Sequence, residues 1–174
     1  MIAGADERVK AAVPSCGGIS DRYSDIQLHL STVSDPPSLK RISCPTFFLS
    51  PANDFHGRIN DLETAVEEIQ SKDWRVACSP HHNHQDTPPY EVATQVWFDH
   101  HLKATFETPK TPQAKIILKQ GMLPQFSIRP DQNRKVRSIE VYFTQQGILQ
   151  KPGAVKDDSR NTKHRFWKFI EPQK

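Results

Sequence analysis

A chain of 174 residues with a formal net charge of +3 is long enough for one ordinary domain, or for a partial domain with a small module beside it. Counting glycine in and tyrosine out, roughly two fifths of the residues are apolar, below the ~45–50% usual in globular domains, which suits a piece whose missing part supplies more core. No run approaches the ~18 apolar residues of a membrane span, and no basic arm with interleaved aromatics marks an RNA binder, so neither membrane nor nucleic acid is an expected partner.

Residues 1–6 read as the last turn of a helix, with Gly4 as its stop. They have neither the cationic head nor the apolar stretch of a signal peptide, so the chain as given is expected in the cytoplasm. That inference lapses if a leader precedes Met1. Val9–Pro14 is a short apolar strand ending in the turn-rich Ser15-Cys16-Gly17-Gly18. Residues 19–40 are polar and interrupted at Pro36-Pro37; they hold some helix whose ends the sequence does not mark.

Pro45–Ser50 is a second strand, too uniformly apolar to have a wet face, as in a parallel sheet covered on both sides. A helix follows, with Asn60 as cap, Glu63 three residues on, and Leu62, Ala65, Val66 and Ile69 at helical spacing. Trp74–Ser79 is a third strand. Thr87 then caps a helix with Pro88 in its first position, and Tyr90, Ala93, Val96 and Trp97 share one face. Strand–helix–strand–helix in this order implies parallel crossover units. Cys16, Cys44 and Cys78 show no close pairing, and the two near strands are expected as buried free thiols.

After Lys103 the pattern changes. Residues 105–112 carry two prolines and three threonines and read as a linker. Beyond them the period is two, at Phe126 and Ile128 and at Ile139, Val141 and Phe143, and Arg165–Ile170 is rich in aromatics. Pro130-Asp131 and Pro152-Gly153 mark turns. This is a small antiparallel β region of sandwich type.

Two loops carry the chemistry. Asp54 lies just past the second strand, where functional groups gather in open α/β sheets. A carboxylate there can accept from an imidazole Nδ1–H, fixing the tautomer and stabilising the imidazolium; the plain alternative is a turn-capping Asp. His84 follows the third strand and precedes a helix, where a general base reaches a nucleophile on a neighbouring strand. His81 and His82 compete, and His84 is preferred as the deepest in the loop; a solvated histidine-rich turn is the plain alternative. A metal site drawn from His56, His82, His84, Asp54 and Cys78 matches no structural zinc spacing. Ser15 reads as a structural turn, Asp99-His100-His101 as a solvated helix face, and Arg165-Phe166-Trp167 as β packing with an exposed arginine.

Ile2–Pro14 resembles the segment after the nucleophile helix in α/β-hydrolases of the dienelactone hydrolase, acetyl xylan esterase and prolyl oligopeptidase kind. Ser50–Gly57 is similar to their acid loop, and Pro80-His81-His82-Asn83-His84 to their histidine loop. The resemblance covers about residues 1–103. It implies the C-terminal portion of a parallel hydrolase sheet over 1–104, a linker at 105–112, and a small β domain over 113–174 that need not be whole. It also implies Asp54 as triad acid, His84 as triad base, no cofactor, and an ester or peptide substrate. The chain departs from the family pattern in having no G-x-S-x-G elbow, no oxyanion donors and no early strands, so alone it is expected to be inactive. The competing expectations are a non-catalytic interaction module built on the same fold, and a histidine-rich metal binder.

Overall fold

The computed structural model describes residues 2–17, 26–56, 59–146 and 162–172, the Asn60 side chain excepted. It is a mixed helix–strand structure with small sheets. Strand β1 (Thr46–Leu49) pairs in parallel with β2 (Trp74–Ala77), in the register Thr46↔Trp74 to Leu49↔Ala77. On its other side β1 meets the segment 12–15, also parallel, at Ala12↔Thr46 and Ser15↔Leu49. That segment falls short of the strand expected over Val9–Pro14, and the reason is chemical. The amides of Ala12 and Cys16 donate to the carbonyls of Pro45 and Leu49, but Pro14, between them, has no N–H to give.

Both faces of β1 are covered, which explains its unbroken apolar run. Phe48 enters a core of Leu39, Ile42, Cys44, Leu62, Ala65 and Ile69. Phe47 points the other way and packs on the Trp97 ring at 5.3 Å. Period-two alternation thus sends consecutive phenylalanines to two different helix layers.

The helices depart from expectation in detail. Helix α1 (Ile2–Ala5) contains Gly4 rather than ending at it. Gly4 is there because α3 (Asp35–Leu39) crosses it: a methyl on Gly4 would stand 2.9 Å from the Ser38 carbonyl carbon and closer to its oxygen. Gly4→Ala is therefore expected to destabilise the chain by about 1–3 kcal/mol, against the gain of up to ~1 kcal/mol that alanine brings to a free helix. A urea midpoint equal to or above wild type would refute the close crossing.

Between α1 and α3 lies α2 (Gln27–Thr32). Pro36 and Pro37 do not interrupt a helix; they occupy the first turn of α3, where the absent N–H costs nothing. Helix α4 (Leu62–Glu68) follows a short 3-10 turn, Ile59–Asp61. Asp61, not Asn60, stands at its cap, and Ile69 ends it in extended backbone while staying in the core. Helix α5 (Pro88–Phe98) starts after Thr87 as expected and runs on through a π turn, Asp99–Lys103.

That π turn corrects the reading of Asp99-His100-His101 as a solvated face. The His101 ring lies 4.1 Å from the Trp97 ring and is mostly covered, and its Nε2 sits 3.6 Å from an Asp73 oxygen. Burial lowers its pKa, against the raising effect of Asp73. His100 Nδ1 pairs with the Phe106 carbonyl at 2.9 Å.

Among the described residues the C-terminal β region forms two antiparallel pairs. Strand β3 (Gln113–Ile117) pairs antiparallel with β4 (Gln125–Arg129), and β5 (Val141–Phe143) with β6 (Lys168–Ile170). The expected turn at Pro152-Gly153 lies outside the described residues. Of the cysteines, Cys44 is buried ahead of β1, whereas Cys78, just past β2, is exposed and Cys16 is intermediate. Both strand-end thiols expected in the core are thus not alike, because β2 keeps one face to solvent, with Trp74 and Val76 each 38% exposed.

Candidate active site

Three loops leave the C-terminal ends of three parallel segments, and they meet. The first follows 12–15, the second follows β1, and the third follows β2. Backbone bonds extend the sheet into the second and third: Ser50 N–H donates to the Ala77 carbonyl, Ala52 to Ser79, and Asn53 to His82. The acid loop and the histidine loop are thereby in register before any side chain is considered.

Asp54 is wholly buried. Its carboxylate accepts from the His56 amide at 2.8 Å and contacts His84 Nδ1 through both oxygens, at 3.1 and 3.0 Å. The His84 side chain is 47% exposed, so one ring nitrogen is engaged in the interior while the ring edge reaches solvent. Of the three histidines that competed from sequence, this one reaches Asp54. His81 adopts a left-handed backbone, φ 64°, and its ring packs edge-on against Phe166. His82 pairs through Nδ1 with the Gln85 side chain at 3.0 Å. The His56 ring lies 5.0 Å from that of His84.

The histidine loop is pinned from behind by α5. The Tyr90 hydroxyl accepts from the Ser79 amide at 2.9 Å and reaches the Ala77 carbonyl at 3.4 Å. Burial pushes the Tyr90 phenol up to about 12, so it stays a hydroxyl. Thr87 spends its side chain on the Ser79 hydroxyl, at 3.3 Å, rather than on capping α5.

The acid loop is pinned by the C-terminal segment. Asn53 Nδ2 donates to the Arg165 carbonyl at 2.7 Å, and Trp167 Nε1 donates to Asn53 Oδ1 at 2.8 Å. Arg165 was expected to be exposed and is instead buried, 4% accessible, because its backbone docks on this loop.

The sequence reading missed Cys16 as a member of the site. It stands at the end of the 12–15 segment with φ 53°, a left-handed conformation rare for a non-glycine residue. Its thiol contacts the Gln85 carbonyl at 3.6 Å, and neighbouring Ser15 donates to the Asp86 carboxylate. One ligand atom each from Cys16, Asp54 and His84 lies within 4.8 Å of the other two. Burial pushes the Cys16 thiol up against the opposing contact with Ser15, and the Asp54 and Asp86 charges add to the rise. The signal available in the sequence was Cys16-Gly17-Gly18 directly after an apolar strand. Cys78, which the sequence suggested as a ligand, does not join the cluster among the described residues.

No protein-family model and no curated protein matches the sequence. Solved structures similar to it include an acetyl xylan esterase from Paenibacillus sp. R4, 16% identical with a TM-score of 0.49, where the match covers 57% of this chain and 40% of that one. A cold-adapted esterase from an Arctic intertidal metagenomic library is similar in its PEG-bound form, 16% identical with a TM-score of 0.45, over 58% of this chain and 40% of that one. The native form of that esterase gives 18% identity and a TM-score of 0.42, over 58% and 42%. The chain thus spans about two fifths of the length of these esterases.

Proposed function

We propose that Asp54 and His84 are the orienting carboxylate and the general base of an acyl-transfer site that hydrolyses carboxylic esters, with peptide bonds as the second substrate class. The observation that carries this reading is the two-oxygen contact of buried Asp54 with Nδ1 of a half-exposed histidine. A carboxylate on Nδ1 holds the proton there and leaves Nε2 as the acceptor. Nε2 can then take a proton from an attacking hydroxyl and return it to the leaving alkoxide, while Asp54 stabilises the imidazolium between the two steps.

In this reading the segment 12–15, β1 and β2 correspond to the last strands of a hydrolase sheet, with residues 1–104 as its partial domain and 113–174 as an appended β domain. The 174 residues contain no G-x-S-x-G elbow, so the serine and the oxyanion donors belong to another stretch of polypeptide. Exposure of Trp74, Val76 and Ile2 fits a sheet and helix layer made to be covered further.

The test is the coding DNA ahead of Met1. An in-frame extension with G-x-S-x-G is the expected result, and the extended product should hydrolyse a nitrophenyl acetate in a His84-dependent manner. An in-frame stop would overturn the reading and leave a non-catalytic interaction module. The purified 174-residue chain should take up no fluorophosphonate; a labelled serine would place the nucleophile within it instead.

A further inference from the structure

We propose that Cys16, Asp54 and His84 together form a binding site for a single soft divalent cation, zinc being the best match. The three residues come from three different loops, at the ends of three parallel segments, and one ligand atom of each lies within 4.8 Å of the others. Zinc bonds of about 2.0–2.3 Å would set tetrahedral neighbours roughly 3.3–3.8 Å apart, so the cluster closes by about 1 Å on binding.

The donor set selects the metal. A sulfur, an imidazole nitrogen and a carboxylate oxygen form a mixed borderline-soft set that suits zinc and excludes magnesium and calcium, which take oxygen. Three protein ligands leave one tetrahedral position open to water. The backbone is arranged for the purpose at its least favourable point: Cys16 holds φ 53°, and its own amide is tied to the Leu49 carbonyl, so the thiol is presented to the acid and histidine loops from a fixed turn. Strain of this kind at a non-glycine residue persists where the surroundings impose it. The Cys16 thiol touches the Gln85 carbonyl, one residue beyond His84. On binding, the thiol forms the Zn–S bond and its proton leaves to solvent, while His84 binds as neutral imidazole with its one proton on the ring nitrogen that is not a ligand; no oxidant or reductant is involved.

The site goes beyond the acyl-transfer reading, since it uses the same carboxylate and imidazole for a different ligand. Under that reading a bound zinc would occupy the base and silence it. Binding itself is independent of whether the chain belongs to a hydrolase.

Titration of the 174-residue chain with zinc chloride, followed by calorimetry and by cobalt(II) substitution, tests it. One equivalent of metal is expected, with a sulfur-to-cobalt charge-transfer band in the near ultraviolet. Cys16→Ser should abolish the band and weaken zinc at least tenfold, and His84→Ala should weaken zinc at least tenfold, whereas Cys78→Ser should leave both intact. In the wild-type chain zinc should also shield the Cys16 thiol from iodoacetamide, read by peptide mass without any variant that could misfold. Absence of stoichiometric binding, or zinc affinity unchanged by Cys16→Ser with no shielding of Cys16, would overturn the proposal. The second pattern would place the metal away from Cys16. Failure to find a serine elbow upstream would leave the zinc result untouched.

Discussion

Trp97→Ala is expected to cost roughly 3–5 kcal/mol, the range for removing a large buried aromatic. Trp97 is 1% exposed and is the largest fully buried side chain among the described residues. It fills the layer between α5 and the sheet, touching Phe47 of β1 on one side and His101 of the π turn on the other. Its loss would open a cavity beside the middle strand and strip the cover from an imidazole whose protonation burial already disfavours. Against a typical total of ~5–15 kcal/mol, that is a fall in Tm of roughly 6–20 °C.

Trp97→Phe separates packing from polarity. The indole Nε1 is buried without a hydrogen-bond partner among the described residues. A phenylalanine loses volume but also removes this unpaired donor, and the two effects oppose each other. The phenylalanine variant is expected within about 1 kcal/mol of wild type. Equal losses for alanine and phenylalanine in a denaturant titration would show that the layer needs the full indole volume and that a smaller ring does not fill it.

The parts of this molecule that could be read from sequence are those set by local rules. The apolar run of β1 and the Thr87-Pro88 start of α5 are visible because strand burial and helix entry leave their marks within a few residues. The two loops were visible because a strand end followed by a helix start fixes where a loop must be. What escaped depends on partners far away in the chain. Gly4 looked like a helix stop because the residue that demands a glycine, Ser38, belongs to another helix. Arg165 looked exposed because its docking partner, Asn53, is 112 positions away. The preference for His84 over its neighbours rested on depth in the loop, and the left-handed turn at His81 beside it is announced by no propensity. Cys16 was passed over with Ser15 as a turn because its significance lies in Asp54 and His84, supplied by two other loops.

Asn53→Ala is the other substitution with a large expected effect, because its one side chain serves two partners. The amide nitrogen donates to the Arg165 carbonyl and the amide oxygen accepts from the Trp167 indole. Truncation leaves one buried acceptor and one partly buried donor unanswered, at ~1–3 kcal/mol each; a total of about 2–4 kcal/mol is expected, since water can reach the Trp167 side. The backbone bond from Asn53 N–H to the His82 carbonyl does not depend on the side chain, so the acid loop should stay beside the histidine loop. The damage is therefore expected to be lopsided. Amides of residues 162–170 should lose hydrogen-exchange protection and the Trp167 fluorescence should shift to the red, while the Asp54–His84 contact survives. Asn53→Asp keeps the acceptor for Trp167 but sets a carboxylate oxygen against the Arg165 carbonyl, so it should rescue the indole environment without restoring protection at Arg165. Were Asn53→Ala to disrupt the Asp54–His84 pair as severely as the C-terminal segment, the acid loop would owe its shape to that segment and not to the sheet beneath it.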